Sequence, residues 1–266
     1  MSTSRFLTDT HCHLDFPPLS DDPAAVLSRA SARGVTRVIV PSYDEPAWPA
    51  VAALAADPRV FAAFGLHPWV AHQVPSGEAR DAFRTRLAAR LQAAAPKAVA
   101  IGEIGLDTKT ETCGLPEQLP VLEAQLALAA DLDLPVILHC RGAFEELLTA
   151  VKRHGGRLRG VLHAYSRGPE LAERFVAAGL HIALGGAVTR DRAKQVRKAA
   201  VRLPLDKIVL ETDSPSIGLD QVLPADTEPG HVCDIARALA ALRGTSLDTV
   251  AEVTTANACR LFNLPA

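Results

Sequence analysis

The feature that most limits the fold of this chain is a repeated alternation. Short apolar runs occur at 5–10, 35–40, 60–66, 98–104, 135–140, 160–165, 180–186 and 207–212, among them "VTRVIV", "PVILHC" and "KIVLET". Between them lie Ala/Leu/Arg-rich segments with helical spacing. In Pro116–Leu132 the residues Leu119, Leu122, Leu126 and Ala129 fall on one stripe, and a further helix is expected at Pro169–Ala178. Strands alternating with helices imply βαβ units and a parallel sheet. Eight such units in 266 residues predict an α/β fold of the (β/α)8, TIM-type barrel class, as a single domain over 1–266. An open doubly wound sheet usually has fewer strands and a Gly-rich phosphate loop. Neither G-x-G-x-x-G nor G-x-x-x-x-G-K-[ST] occurs here. The final "SLDTVAEVTTANACRLFNL" reads as one or two closing helices.

A barrel of this kind places its active site at the C-terminal ends of the strands. Polar residues collect at those ends. His11 and His13 follow the first strand, His67 lies in "GLHPW", and Glu103 in "IGEIGLD". His139 and Arg141 lie in "LHCR", His163 in "LHAYS", and Glu211 and Asp213 in "ETDSP". Any one of them alone reads as a hydrogen-bonded structural group or a helix cap, and Asp213 could cap a turn at Ser214-Pro215. Their convergence at one end of one barrel would be a costly polar cluster without a ligand. Imidazole with carboxylate suits divalent ions such as Zn, Mn, Fe or Mg. Side-chain alternation along a strand puts His11 with His13, His139 with Arg141, and Glu211 with Asp213. It turns Cys12 and Cys140 away, so neither thiol is expected to be a ligand or a nucleophile.

Composition narrows the function classes. A net charge of −2 excludes a broad basic surface for nonspecific nucleic-acid binding. No apolar run approaches the length of a membrane span, and "MSTSRFLTDT" lacks the apolar core of a signal peptide. Five widely spaced cysteines without a Cys-x-x-Cys pair fit a reducing compartment. A cytoplasmic monomer with no membrane contact is therefore expected. Of the cations in "TRDRAKQVRKAAVR", only Arg190 and Arg192 start near the top of the barrel, and the later ones read as a solvated helix face.

Taken in order, "DTHCHLDF", "GLHPW", "GEIGLD", "LPVILHCR", "GVLHAYS", "LETDSP" and a late "EP" followed by "TTANACRLFNL" carry a resemblance. From about residue 7 to residue 264 the chain resembles the TatD family of metal-dependent deoxyribonucleases, within the amidohydrolase-like barrel superfamily. The resemblance implies that His11, His13, Glu103, His139, His163 and Asp213 hold two divalent ions (Mg, Mn or Zn), with Glu103 bridging. It implies that Asp213 orients or deprotonates the attacking water, and that Glu103 and Asp213 are the catalytic carboxylates. His67, Arg141 and Tyr165 would contact the substrate, which would be DNA cleaved in the 3′-to-5′ exonuclease manner. The chain also departs from the family pattern. "ADTEPG" lacks the usual basic residue and Asn before Glu228-Pro229, "GLDTKTETCG" replaces an aromatic-rich loop, and Arg167 is extra in "HAYSRG".

Phosphodiester hydrolysis needs a strong nucleophile and relief of charge in the transition state, and a two-metal site supplies both. Arg141 offers a fork of donors matched to phosphate oxygens; its other reading is a salt bridge to a neighbouring carboxylate. His67 reads either as a substrate contact or as a support for its loop. Related barrels that hydrolyse cyclic amides typically bridge their metals with a carboxylated Lys on strand 4, where this chain has Glu103 and where Lys97 and Lys109 only flank the strand. The alternative is a metal-dependent hydrolase of an amide or aminoacyl-ester bond on the same scaffold. A non-catalytic barrel would have lost a ligand, and all six are present.

Overall fold

The alternation resolves into eight strands and nine α-helices among residues 6–75 and 77–265, which a computed structural model of the protein describes. In chain order these are β1 (Leu7–Asp9), α1 (Pro23–Ala32), β2 (Val35–Pro41), α2 (Trp48–Leu54), β3 (Val60–Phe64) and α3 (Gly77–Ala93). Then come β4 (Ala98–Asp107), α4 (Leu115–Leu132), β5 (Val136–Arg141), α5 (Phe144–Arg153), β6 (Gly160–Leu162) and α6 (Pro169–Ala177). The chain finishes with β7 (Leu180–Leu184), α7 (Lys194–Arg202), β8 (Ile208–Leu210), α8 (Val232–Arg243) and α9 (Leu247–Phe262). Helix starts carry the expected caps: Asp22 accepts from Ala25 N at 2.9 Å, and Ser246 from Thr249 N at 3.0 Å. The predicted stripe of α4 is inward, with Leu122, Leu126 and Ala129 buried and Leu119 half-buried.

The strands pair in sequence order, β1 to β8, all parallel. The two edges then meet. Thr10 N donates to Leu210 O at 3.0 Å, Asp213 N to His11 O at 2.8 Å, and His13 N to Ser214 O at 2.8 Å. Cys12 and Ser214 form a parallel bridge. These bonds close the row into a barrel at the level of the polar strand ends.

The barrel interior has two levels. The lower level is apolar: Ile39, Phe61, Ile137, Val161 and Val209 pack with Leu261 and Phe262 from the end of α9. Hydrogen bonds set α9 against the N-terminal ends of the strands, from Asn257 Nδ2 to Leu205 O and Ile208 O and from Thr255 Oγ1 to Phe6 O. The upper level follows by strand parity. Two residues beyond Ile137 is His139, two beyond Val161 is His163, and Glu211 and Asp213 continue from Val209.

Several strands differ in length from the sequence expectation. β6 ends at Leu162 rather than 165, because Ala164 adopts φ 48° and leaves the ladder. β8 ends at Leu210 rather than 212, and Asp213 adopts φ 53°. β4 runs the other way, to Asp107 rather than 104, because β5 pairs with it through Gly105↔His139 and Asp107↔Arg141. Gly105 is needed there: a Cβ would lie 2.0 Å from His139 O. An irregularity between Ile101 and Ile104 lets both isoleucines pack outward and leaves Glu103 for the interior.

Phe262 is fully buried in the plug. Truncation in Phe262→Ala is expected to cost about 3–5 kcal/mol of unfolding free energy, measured by urea denaturation, without changing the number of metal ions bound per chain.

Candidate metal centre

The upper level of the interior forms the floor of a cavity of about 700 Å³. Glu103 stands at its centre, its backbone N–H donated to Ser42 O at 3.1 Å. Its two oxygens face different groups. Oε2 lies 3.3 Å from His11 Nε2 and 3.7 Å from His13 Nε2. Oε1 lies 2.7 Å from His163 Nε2, 2.9 Å from His139 Nδ1 and 3.5 Å from His67 Nε2. Asp213 Oδ1 completes the first group at 3.7 Å from His11 Nε2 and 3.6 Å from His13 Nε2. The structure therefore brings all six sequence-predicted ligand residues into one buried cluster. Cys12 is turned away and accepts from Ser214 Oγ at 3.2 Å. Cys140, expected to be turned away as well, lines the cavity but has no place in the metal-competent groups among the described residues.

Burial dominates the electrostatics. It pushes His11 well below the ordinary imidazole range and His13 down to about 4. It pushes Glu211 up to about 8 and Asp213 up to about 7. Burial acts to raise Glu103 too, but His163, His67 and His11 together hold it well below the usual carboxylate range. Burial acts to lower His163, and Glu103, Glu211 and Asp213 outweigh it, raising the group to about 10. Buried polar atoms with no partner among the described residues also collect here, namely Nδ1 of His11, His13 and His163 and Oε2 of Glu211. Two imidazoles held neutral beside two carboxylates that resist ionisation make a cluster short of positive charge. A divalent cation relieves that shortage, and nitrogen with carboxylate oxygen is a donor set such ions accept. The residues present fit a metal centre.

Asp107 was not among the residues singled out from the sequence. It is buried, and Oδ2 accepts from Trp69 Nε1 at 2.7 Å and lies 3.1 Å from His139 Nε2. Burial acts to raise its pKa, but the bonds from His139 and Trp69 bring it down to about 2. Asp107 thus accepts a hydrogen bond from His139 Nε2 and leaves Nδ1 facing Glu103, which fixes the ring. The signal was present: Asp107 lies four residues after Glu103 in "GEIGLD", beyond where the strand was expected to stop. Asp9, also fully buried, accepts from Thr212 Oγ1 at 2.6 Å and Thr212 N at 2.9 Å, tying β1 to the segment that carries Asp213.

Phe16, Tyr43 and Trp69 give the cavity aromatic lining, with Tyr43 stacked on His67 and Phe16 on His13. Lys109, Arg141, Arg167 and Arg190 also line it. His67 Nδ1 accepts from Trp69 N at 3.2 Å, which leaves Nε2 as the protonated nitrogen toward the cavity. Arg141 lies 3.6 Å from Asp107 Oδ2, the salt bridge of one of its sequence readings, and its side chain, 55 % exposed, lines the cavity. Tyr165 lines the cavity, but its hydroxyl donates to Gly168 O at 2.5 Å, so it contributes a wall rather than a free donor. The helix cations behave as expected, with Arg197 paired to Asp191 and Arg202 to Glu170 and Glu173.

A closed eight-stranded parallel barrel with this cluster at the strand C-termini defines the class of metal-dependent barrel hydrolases. The chain belongs to the TatD family: residues 8–263 match the family described as TatD related DNase. It is 38% identical over 262 residues to the uncharacterized metal-dependent hydrolase YjjV of Escherichia coli K12, covering 98% of this chain and 99% of that protein. The crystal structure of the YjjV TatD homolog superposes with a TM-score of 0.90 over 99% of this chain and 100% of the other, at 36% identity. The human deoxyribonuclease TATDN3 is 31% identical over 265 residues, 96% of this chain and 94% of that protein. No helix among the described residues is long and apolar enough to cross a membrane.

Removing the support of His139 should loosen the centre without dismantling it. Asp107→Ala is expected to weaken metal binding by about 10–100-fold, read by competition with a chromogenic chelator, while the near-ultraviolet dichroism of the barrel is retained.

Proposed function

We propose that this protein is a divalent-metal-dependent phosphodiesterase acting on DNA, in the 3′-to-5′ exonuclease manner, through two ions that share Glu103. The observation that carries this reading is the division of Glu103 between two imidazole groups, Oε2 to His11 and His13 and Oε1 to His139 and His163. In this reading His11, His13, Asp213 and Glu103 hold one ion, and His139, His163 and Glu103 hold the other. Mg, Mn or Zn, when bound, would lower the pKa of an attacking water and offset charge on the phosphate oxygens.

The chain's own residues do the rest. Asp213 takes the proton of the attacking water at its carboxylate. Its position is set by its backbone N–H bonded to His11 O and by Ser216 N and Ile217 N donating to its carbonyl. His67 offers its Nε2 proton to a phosphate oxygen. Arg141, braced by Asp107, offers a guanidinium fork to the same phosphate. Phe16, Tyr43 and Trp69 give a platform on which bases stack. Tyr165 shapes the wall of the cavity. In this reading the acting unit is a single-domain monomer. The relatives named deoxyribonuclease support the choice of DNA. A phosphoester suits this site better than a cyclic amide: Lys97 donates to the carbonyls of Asp57, Pro58 and Val60 at the start of β4, away from Glu103.

Purified protein with Mn is expected to release the label from 3′-labelled single-stranded DNA and to hydrolyse a bis-aryl phosphate. EDTA should abolish both, and Asp213→Asn should lower kcat by about 10²–10⁴-fold. Two bound ions per chain with no cleavage of either substrate would move the scissile bond to another class. A second measurement reads the centre without catalysis: saturating Mn should raise the Tm of the wild type, and Glu103→Ala should lose that rise.

A further inference from the structure

Two cations on the cavity rim are used neither by the proposed reaction nor by the fold. The loop after β4 and the loop after β6 carry Lys109 and Arg167, and both side chains line the catalytic cavity. Lys109 lies against the turn between β5 and α5: a Cβ placed on Gly142 would meet Lys109 Cε at 3.6 Å and Thr108 Oγ1 at 2.1 Å. Gly142, at φ 86°, is what lets the two loops close on each other. Arg167 lies over Phe144 on the other side of the same turn, its Cζ 5.3 Å from the ring centroid. The two cations therefore flank the stretch 141–144, with Arg141 at its start.

Neither has a carboxylate within ion-pair distance among the described residues, unlike most arginines on this side of the barrel. Of the acids near this turn, Glu145 is bonded to Arg174 through both oxygens, and Asp107 is buried in bonds to Trp69 and His139. Two cations that line one cavity and have no carboxylate partner suit an anionic group of a ligand.

We propose that Lys109 and Arg167 form a subsite for a second phosphate group of the substrate, beside the phosphodiester that is cleaved. The inference rests on the phosphodiesterase reading for the identity of the first phosphate. The second phosphate is either the next diester of a strand or a terminal monoester. Lysine and arginine bind both through charge-assisted hydrogen bonds.

The test compares four ligands: the thymidine dinucleotide TpT, its 5′-phosphorylated form pTpT, its 3′-phosphorylated form TpTp, and the trinucleotide TpTpT. Dissociation constants are measured by calorimetry in EDTA, and kcat/KM values in Mn. At least one phosphate-bearing ligand is expected to bind the wild type about tenfold tighter than TpT, and to exceed it similarly in kcat/KM. Which ligand gains distinguishes a terminal from an internal phosphate. In Lys109→Ala/Arg167→Ala the ratio should fall to about one, and Lys109→Glu/Arg167→Glu should drive it below one. Both side chains are exposed, and a melting curve checks that each variant is folded. A wild-type ratio near one for all three ligands, or a ratio that survives in the double variants, overturns the subsite. Absence of turnover of every diester overturns the phosphodiesterase reading instead, because the binding ratio in EDTA reads the subsite without chemistry.

Discussion

Glu103 is the interaction on which the rest of this structure depends. Isolated, a carboxylate so deeply buried would cost several kcal/mol. Its oxygens instead meet the imidazoles of His11, His13, His67, His139 and His163, delivered from the ends of four strands. The loops after β1, β3, β5 and β6 are thereby held to one point. Their common anchor explains why a cluster of five histidines and several carboxylates persists in a barrel interior that is otherwise apolar.

The lower half of the barrel supplies the stability that such a cluster lacks. Phe61, Ile137, Val161 and Phe262 fill the interior near the N-terminal ends of the strands. The same inward positions, two residues further along three of the strands, become His139, His163 and Glu211. One strand geometry thus serves packing at one end and chemistry at the other. The closing bonds between the β8 and β1 extensions lie at the chemical end, where Asp9 holds Thr212 and His11 O holds Asp213 N. Closure of the barrel and placement of Asp213 are one event, and the strained φ of Asp213 is held by that closure.

Aromatic rings from the loops after β1, β2 and β3, and cations from β5 and the loops after β4, β6 and β7, line the cavity above this centre. These walls are built largely from loops, which tolerate change at little cost to the core.

Much of this was legible in the residues. Strand parity put His11 with His13 and His139 with Arg141: the first two meet at 3.2 Å between their Nε2 atoms, the second two line the cavity, and Cys12 points elsewhere. The α4 stripe and the absence of a Gly-rich phosphate loop pointed to the barrel, and the barrel is what formed. Asp107 was missed because its role depends on β4 continuing beside β5, a register set by backbone pairing between residues 30 positions and more apart. Trp69 and Tyr43 were missed because an aromatic in a loop has no period to read. The hydroxyl of Tyr165, a residue expected to contact the substrate, donates to Gly168 O, through a turn that no local pattern announces.

The sequence by itself determined the element order, the inward face of each strand and the kinds of ligand atoms available, because alternation and side-chain chemistry are local properties. Only the tertiary structure decided that Glu103 would divide its oxygens between two imidazole groups, that Asp107 would orient His139, and that aromatic and cationic side chains would line one cavity. Those are relations among residues far apart in the chain, and they exist only once closure of the barrel has brought the strand ends within hydrogen-bond reach.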